Sequence, residues 1–275
     1  MSERGSFYVV DGERLIPTDY TRGPWDPALQ HGGPPTAAIA RAVAQRLGDG
    51  WVLGRATFEL IRPVAVAPLT IAVRERGQTR ATRRFDAELR VAGKVAIEAR
   101  LLAVAADPLE LPPTPSLPLA LPPGPEAAEP FVLPIFRERE GYHRAFEMRR
   151  VRGRYGEGPL CAWLRAVVDL VGGEPIAPYA RALIVADSCN GLSPVVDPRE
   201  ISFINADLSV HLYREMVGEW ICVDAQTALD GRGRGLASGH LFDLEGWLGL
   251  AAQGLIVRRR GPTTGVQPVM VASSD

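Results

Sequence analysis

The chain has 275 residues, and its 31 Lys and Arg against 32 Asp and Glu give a formal net charge of −1. Hydrophobic residues make up 46% and charged residues 23%, which is typical of a folded globular protein and excludes general disorder. The charge balance argues against a nucleic-acid-binding protein. No apolar run reaches the ~18–20 residues of a membrane span, and the start lacks the apolar segment of a signal peptide. We therefore expect a cytoplasmic protein that binds neither nucleic acid nor membrane.

The cysteines and histidines predict no metal site. Cys161, Cys189 and Cys222 lie far apart in the sequence, which predicts neither a metal-binding nor a redox pair, and their odd number argues against a disulfide framework. The four histidines have no spacing typical of metal ligands.

A proline-rich stretch divides the chain in two. Eight of the 20 residues from 111 to 130 are Pro, which excludes a helix interior or a central strand and favours a semi-rigid connector on the surface. We expect an N-terminal domain at 1–108, a linker at 109–130, a C-terminal domain at 131–262 and a loose tail at 263–275.

The first half predicts a hairpin, a helix and several antiparallel strands. Two short strands flank Asp11-Gly12, a dipeptide that favours a tight turn. Apolar residues then recur at helical spacing over Thr36–Leu47. The predicted strands are Ser6–Val10, Arg14–Pro17, Arg55–Ile61, Leu69–Gly77 and Thr82–Val104, the last with a hairpin turn at Ala92-Gly93.

The second half repeats this order. Its one predicted helix is Pro178–Asn190. Phe58–Arg62 lies 152 residues before Val210–Arg214, and each run leads into a similar series of strands. Two copies of one α+β unit are therefore predicted, with a single irregular α+β domain as the alternative. The predicted strands are Arg144–Arg150, Cys161–Val168, Phe203–Tyr213, Trp220–Thr227, Gly235–Phe242 and Leu248–Arg258.

Four motifs occur in order along this framework: His31-Gly32-Gly33 before the first helix, Ala186-Asp187-Ser188 late in the second, Asn205 to His211 in the next strand, and Ala252-Gln253-Gly254-Leu255 in the last. In these motifs the sequence resembles the double-hot-dog acyl-CoA thioesterases of the acyl-CoA thioesterase II type. The resemblance covers about residues 20–260 and implies an α+β fold of two tandem hot-dog units, each a helix wrapped by an antiparallel β-sheet.

The resemblance implies that Asp187 and Gln253 are catalytic. Asp187 follows an apolar helix face, where a carboxylate is costly to desolvate, and a partly buried carboxylate of raised pKa suits a general base that takes a proton from water. The alternative is an Asp that faces solvent or a helix end. Gln253 corresponds to a glutamine that holds the attacking water, whereas an ordinary strand glutamine points at solvent.

The third catalytic position departs from the family pattern. The family has a hydroxyl residue early in the strand after the second helix, and an ungapped match there falls on Phe203. The nearby polar candidates are Ser202, Asn205 and Asp207, of which the last two share a face with Phe203 by strand alternation. We favour Asn205 as the amide that holds the water.

Residues before the first helix and at the end of the last strand are predicted to bind the substrate. The backbone N–H groups of Gly32 and Gly33 suit a developing oxyanion at a helix N-terminus, although a turn with positive φ is the alternative. His31 either contacts the ligand or is a solvated turn residue. Arg258 either meets the coenzyme A phosphates or is a solvated strand end. The acyl chain is expected to run between the two helices.

Three functions are compatible with these residues. The first is hydrolysis of an acyl thioester, carried by coenzyme A or by acyl carrier protein, with no covalent intermediate and no cofactor, in a homodimer or higher homo-oligomer. The second is a hot-dog protein that binds acyl thioesters without turnover. The third is a hot-dog hydratase or dehydratase, which pairs a His with a carboxylate. The chain has no Gly-x-Ser-x-Gly motif, which disfavours a serine hydrolase.

Overall fold

A computed structural model describes residues 5–115, 119–136 and 139–260, so the predicted tail at 263–275 lies outside the described residues. The helices are α1 (Gly33–Ala44), α2 (Pro178–Ala186) and α3 (Cys189–Leu192). The strands of the first half are β1 (Ser6–Asp11), β2 (Arg14–Pro17), β3 (Trp51–Leu60), β4 (Leu69–Gln78), β5 (Thr82–Val91) and β6 (Lys94–Ala105). Those of the second are β7 (Glu129–Pro130), β8 (Phe146–Arg152), β9 (Leu160–Ala166), β10 (Asp169–Val171), β11 (Ile201–Asn205), β12 (Asp207–Leu212), β13 (Trp220–Asp230), β14 (Arg234–Asp243) and β15 (Gly246–Arg259).

The strands of both halves form one continuous sheet. The order β2-β4-β5-β6-β3 in the first half continues as β12-β15-β14-β13-β9-β8-β7 in the second, through an antiparallel pair of β3 and β12. At the other end of the sheet, β10 of the second half runs parallel to β1 of the first. Each half therefore depends on the other for the pairing of its edge strands.

A local twofold relation confirms the predicted internal repeat. β5 begins at Thr82 and β14 at Arg234, 152 residues later, and the same interval separates the starts of β6 and β15. Thr57 and Ser209 are separated by this interval too, and they lie opposite each other where β3 pairs with β12. The repeat axis thus passes through this pair, as expected for two copies of one unit rather than one irregular domain.

The helices pack against each other on the sheet, with boundaries that differ from the predicted ones. α1 begins at Gly33, three residues before the expected start, because Pro34 and Pro35 fit the first helical turn, where a missing N–H costs nothing. The second predicted helix is interrupted at Asp187 and Ser188, which separates α2 from α3. α1 has twelve residues, and within the described ranges no helix is long and apolar enough to cross a membrane.

The linker does more than connect the halves. Leu119 and Ala128 pack on a small cluster of buried residues formed by Cys161, Trp163, Cys222 and Phe242, and the Trp163 indole donates a hydrogen bond to the carbonyl of Pro123 (2.7 Å). Residues 129 and 130 form β7 at the edge of the second half. The described part of the linker after residue 118 thus covers one face of the second half.

Cys161 and Cys222 lie far apart in the sequence but next to each other in the fold. Their Sγ atoms are 3.3 Å apart, because β9 and β13 are neighbouring strands in the sheet although 61 residues separate the two cysteines. Both are buried free thiols. No group of His, Cys, Asp or Glu suited to hold a metal occurs in the described part of the chain.

Replacing the buried indole under the linker tests whether the linker stabilises the second half. Trp163→Ala removes a fully buried side chain and its bond to Pro123, so the free energy of unfolding should fall by about 3–5 kcal/mol in a urea titration. Leu111→Ala, which truncates an exposed linker leucine, is the matched control and should change stability little. A loss below about 1 kcal/mol for Trp163→Ala would contradict this role.

Candidate active site

The end of α2 is held by side chains from other elements. Asp187 caps α2 and is buried, with 3% of its surface exposed. The carbonyl groups that end a helix have no partner inside it. Here Gln253 Nε2 donates to the main-chain oxygen of Asp187 (3.1 Å), and the Tyr142 hydroxyl donates to that of Ile184 (2.8 Å). Side chains before β8 and on β15 thus hold the residue that carries the carboxyl group.

Two amide side chains point at the Asp187 carboxyl group. Asn205 Nδ2 (2.8 Å) and Gln253 Nε2 (3.0 Å) both donate to Oδ1. Asn190 fixes the orientation of both amides, because its main-chain N–H donates to Gln253 Oε1 (3.1 Å) and its side-chain NH₂ donates to Asn205 Oδ1. The structure thus brings together Asp187, Asn205 and Gln253, as predicted, and adds Asn190, which lies three residues after Asp187.

His31 is not a solvated turn residue, contrary to the alternative offered by the sequence. Its ring stacks on the Tyr142 ring, with centroids 3.7 Å apart and planes 4° from parallel. Nδ1 lies 3.1 Å from Asp187 Oδ2 and accepts a hydrogen bond from the N–H of Gly33 (3.1 Å). A histidine of the first half therefore contacts the carboxyl group of the second half.

The two glycines are required by close contacts, and neither has a positive φ. A Cβ on Gly33 would lie 2.2 Å from the carbonyl oxygen of Ile184, and one on Gly32 would lie 2.7 Å from Asp187 Oδ2. The Gly33 N–H is bonded to His31, and the N–H groups of both glycines favour the ionised form of Asp187. In this structure these donors face the carboxyl group rather than an open oxyanion site.

Burial moves the pKa values of Asp187 and His31 in opposite directions. It raises the pKa of Asp187 to about 7, although hydrogen bonds from Asn205, Gln253, Gly32 and Gly33 oppose the shift. Burial lowers the pKa of His31 to about 3. Between about pH 3 and 7, His31 is therefore neutral and Asp187 is mostly protonated.

A pocket of about 230 Å³ opens onto this carboxyl group. The loop before α1, the segment after β3 and the end of β11 form its walls. Asp187, Asn205, Asn190, His31 and Gly32 lie at its polar side, and Arg62 is its one charged basic lining residue. The apolar and remaining lining residues are Gly23, Pro24, Trp25, Asp26, Leu29, Gln30, Leu60, Pro63, Val64 and Ile204.

The acyl path expected between the helices is closed at Gly33. Gly33 touches the backbone of α2 at Ile184, and Ala37 and Ala40 of α1 and Ala182 of α2 are almost fully buried. Small residues allow two helix backbones to approach closely, which leaves no room for an acyl chain between them at the Gly33 contact. The pocket instead lies beside the N-terminus of α1.

The other predicted residues lie away from the carboxyl group. Phe203 is buried, with its ring edge-on to Trp25 at 5.7 Å. Asp207 accepts a hydrogen bond from the N–H of Gly254, and Ser202 donates to the carbonyl of Arg258. The Arg258 side chain is exposed and does not line the pocket, so its contact with a coenzyme A phosphate stays a prediction. Neither Arg62 nor Trp25 was identified from the sequence, because no local pattern places them at the pocket.

Comparisons with known proteins agree with this architecture. A family model described as the acyl-CoA thioesterase N-terminal domain matches residues 21–105, and one described as the C-terminal domain matches residues 118–257. No curated protein matches the sequence.

Three solved structures share the fold at low identity. A protein described as a thioesterase from Novosphingobium aromaticivorans is 19% identical, with a TM-score of 0.70 over 91% of this chain and 98% of its own. A hot-dog protein of unknown function from Alicyclobacillus acidocaldarius is 16% identical, with a TM-score of 0.68 over 92% and 96%. An acyl-CoA thioesterase II from Mycobacterium marinum is 14% identical, with a TM-score of 0.63 over 83% and 91%. The predicted double hot dog is thereby confirmed.

The opposite pKa shifts predict how stability depends on pH. The pKa of Asp187 is higher in the native protein than in the unfolded chain, so Asp187 stabilises the native protein at low pH. This contribution to the free energy of unfolding is lost as pH rises from about 4 to 7. The lowered pKa of His31 stabilises the protein above pH 6.5, and this contribution is lost as pH falls towards 3. Between about pH 4 and 6.5, the two contributions change the free energy of unfolding with pH in opposite directions and cancel in the unsubstituted protein.

Single substitutions should reveal how each of the two residues changes the free energy of unfolding with pH. Relative to the unsubstituted protein, the free energy of unfolding of Asp187→Asn should rise by about 1.4 kcal/mol per pH unit across this window, and that of His31→Gln should fall by a similar amount. Urea titrations at several pH values measure both slopes, with the half-exposed Asp230→Asn as control. Slopes of both variants parallel to that of the unsubstituted protein would contradict the opposite pKa shifts of the two residues.

Proposed function

Because the chain belongs to the acyl-CoA thioesterase family, we propose that it hydrolyses acyl-CoA thioesters to the free acid and coenzyme A, with water that Asp187 activates. The observation that carries the proposal is a buried carboxyl group of pKa about 7 at the wall of an apolar pocket. A general base works best when its pKa lies near the operating pH, because enough of it is ionised while it still attracts a proton.

In this proposal each step uses a group at the pocket. The ionised Asp187 takes a proton from water as the oxygen attacks the thioester carbon. The tetrahedral intermediate then collapses, the C–S bond breaks, and the proton passes from Asp187 to the leaving thiolate. No atom of the protein is covalently modified, and the carboxylate is regenerated for the next cycle.

The two amides have different proposed roles. Gln253 has no exposed surface, and both ends of its amide are bonded to Asp187 and Asn190, so it is proposed to position the base rather than to hold water. This revises the role implied by the family resemblance. Asn205 lines the pocket, and one N–H of its NH₂ group is bonded to Asp187. The other N–H is available to hold the attacking water.

One observation favours a second candidate function. His31 Nδ1 lies 3.1 Å from Asp187 Oδ2, and a His beside a carboxylate is the pair expected of a hot-dog hydratase or dehydratase. Such an enzyme adds water across the double bond of a 2-enoyl thioester and leaves the thioester intact. Incubation with a saturated and a 2-enoyl acyl-CoA separates the two functions, because hydrolysis releases a thiol and hydration removes the enoyl absorbance.

Removing the carboxylate should abolish most hydrolysis. Asp187→Asn keeps the shape of the side chain but accepts no proton, so kcat should fall by about 10²-fold or more, measured by thiol release. Gln253→Ala should lower kcat less. It should also shift the pH profile of kcat/KM to higher pH, because a donor that stabilises the ionised carboxylate of Asp187 is lost. Asp230→Asn, at an exposed hairpin, is the matched control.

Two results would count against these roles. Hydrolysis by Asp187→Asn within a few-fold of the unsubstituted enzyme, with an unchanged circular dichroism spectrum, would exclude Asp187 as the base. A larger loss for Gln253→Ala than for Asp187→Asn would mean that the roles of the two residues are reversed.

A further inference from the structure

The size and the walls of the pocket limit the acyl group that can reach Asp187. Its volume of about 230 Å³ exceeds the roughly 150 Å³ of a cavity that accommodates benzene. Scaled from the six carbon atoms of benzene, the pocket has room for about nine non-hydrogen atoms, which corresponds to an acyl group of about eight carbons with its carbonyl oxygen. At Gly33 the backbone of α1 lies against the carbonyl oxygen of Ile184 on α2, so a longer chain cannot pass between the helices at this point.

Trp25 is the largest side chain of the lining, and its ring is held in place from behind. Phe203 on β11 contacts it edge-on, with centroids 5.7 Å apart and planes at 90°. This geometry is a favourable one for two aromatic rings. Phe203 stands where the family pattern has a hydroxyl residue, and here its ring supports the pocket wall instead.

The loop that carries Trp25 is fixed at both ends. Asp26 Oδ1 accepts a hydrogen bond from the N–H of Ala28 (2.7 Å), which closes a tight turn directly after Trp25. Gln30 is bonded to the segment after β3, through its main-chain N–H to Val64 (2.8 Å) and through Nε2 to the carbonyl of Ala65 (2.8 Å). Hydrogen bonds within the protein therefore hold the wall in place.

We propose that this site selects short aliphatic or single-ring acyl thioesters, of about eight acyl carbons or fewer, and that Trp25 sets the upper limit. The inference rests on the proposed thioesterase function, since it names the acyl class for that same site. Within the limit, each added methylene is buried against apolar residues, which corresponds to about a fourfold gain in kcat/KM. Beyond it, the chain meets the indole of Trp25.

The test is a chain-length series of acyl-CoA substrates from acetyl to palmitoyl, with phenylacetyl-CoA as the single-ring member. For the native enzyme kcat/KM should rise to a maximum at six to eight carbons and fall at least tenfold by palmitoyl. Trp25→Ala should move the maximum to longer chains, and Trp25→Leu should give a smaller shift if the alanine variant does not fold. Phe203→Leu should move it in the same direction by releasing Trp25.

Two controls separate this inference from the proposed function. Tyr213→Ala truncates an exposed aromatic residue that does not line the pocket, so its chain-length profile should match that of the native enzyme. Binding of S-hexyl-CoA and S-hexadecyl-CoA, which cannot be hydrolysed, is measured by calorimetry on Asp187→Asn, and the shorter ligand should bind more tightly. This second readout does not require turnover.

The outcomes are distinct. If no acyl-CoA is hydrolysed but S-hexyl-CoA still binds more tightly than S-hexadecyl-CoA, the proposed function fails and the acyl site stands. If palmitoyl-CoA is hydrolysed as well as hexanoyl-CoA, or if neither Trp25 variant changes the profile, the size limit is overturned while thioester hydrolysis stands.

Discussion

The close approach of α1 to α2 at Gly33 is the contact on which the site depends. Because Gly33 has no side chain, the N-terminus of α1 reaches the carbonyl oxygen of Ile184, the third residue before Asp187. This approach brings Gly32 and His31 of the first half onto the carboxyl group of the second half. The antiparallel pair of β3 and β12 holds the two halves in one sheet and fixes the relation between the two helices. The site therefore exists only when both copies of the repeat are joined.

The electrostatic balance at Asp187 follows from this contact. Burial alone disfavours an ionised carboxylate, and the donors of two amide side chains and two backbone N–H groups restore part of the lost stabilisation. His31 is buried beside it and stays neutral, so it does not neutralise Asp187 as a cation, although its Nδ1 accepts the N–H of Gly33 that also faces the carboxyl group. The result is a carboxyl group that changes its protonation state near neutral pH, which suits a group that must both accept and return a proton in one cycle.

Residues that stand in local sequence motifs were predicted correctly, whereas contacts created by the packing of the two halves were missed. Asp187 and Gln253 were found because they stand in ordered motifs, and their burial agrees with the apolar residues around them. The contact of His31 with Asp187 joins residues 156 positions apart in different halves, and no periodicity reports it. The contact of Cys161 with Cys222 on β13 was missed for the same reason, because the distance between two strands in the sequence does not show whether they are neighbours in the sheet.

The most direct test of this account is a titration of the Asp187 carboxyl group itself. Infrared difference spectra recorded across pH 4 to 9, with Asp187→Asn subtracted, isolate the protonated C=O band of this one side chain. We expect the band to persist to neutral pH and to disappear with a midpoint near pH 7, as burial dictates. A midpoint near 4, like that of a carboxyl group in water, would contradict the desolvated base on which the proposed mechanism rests.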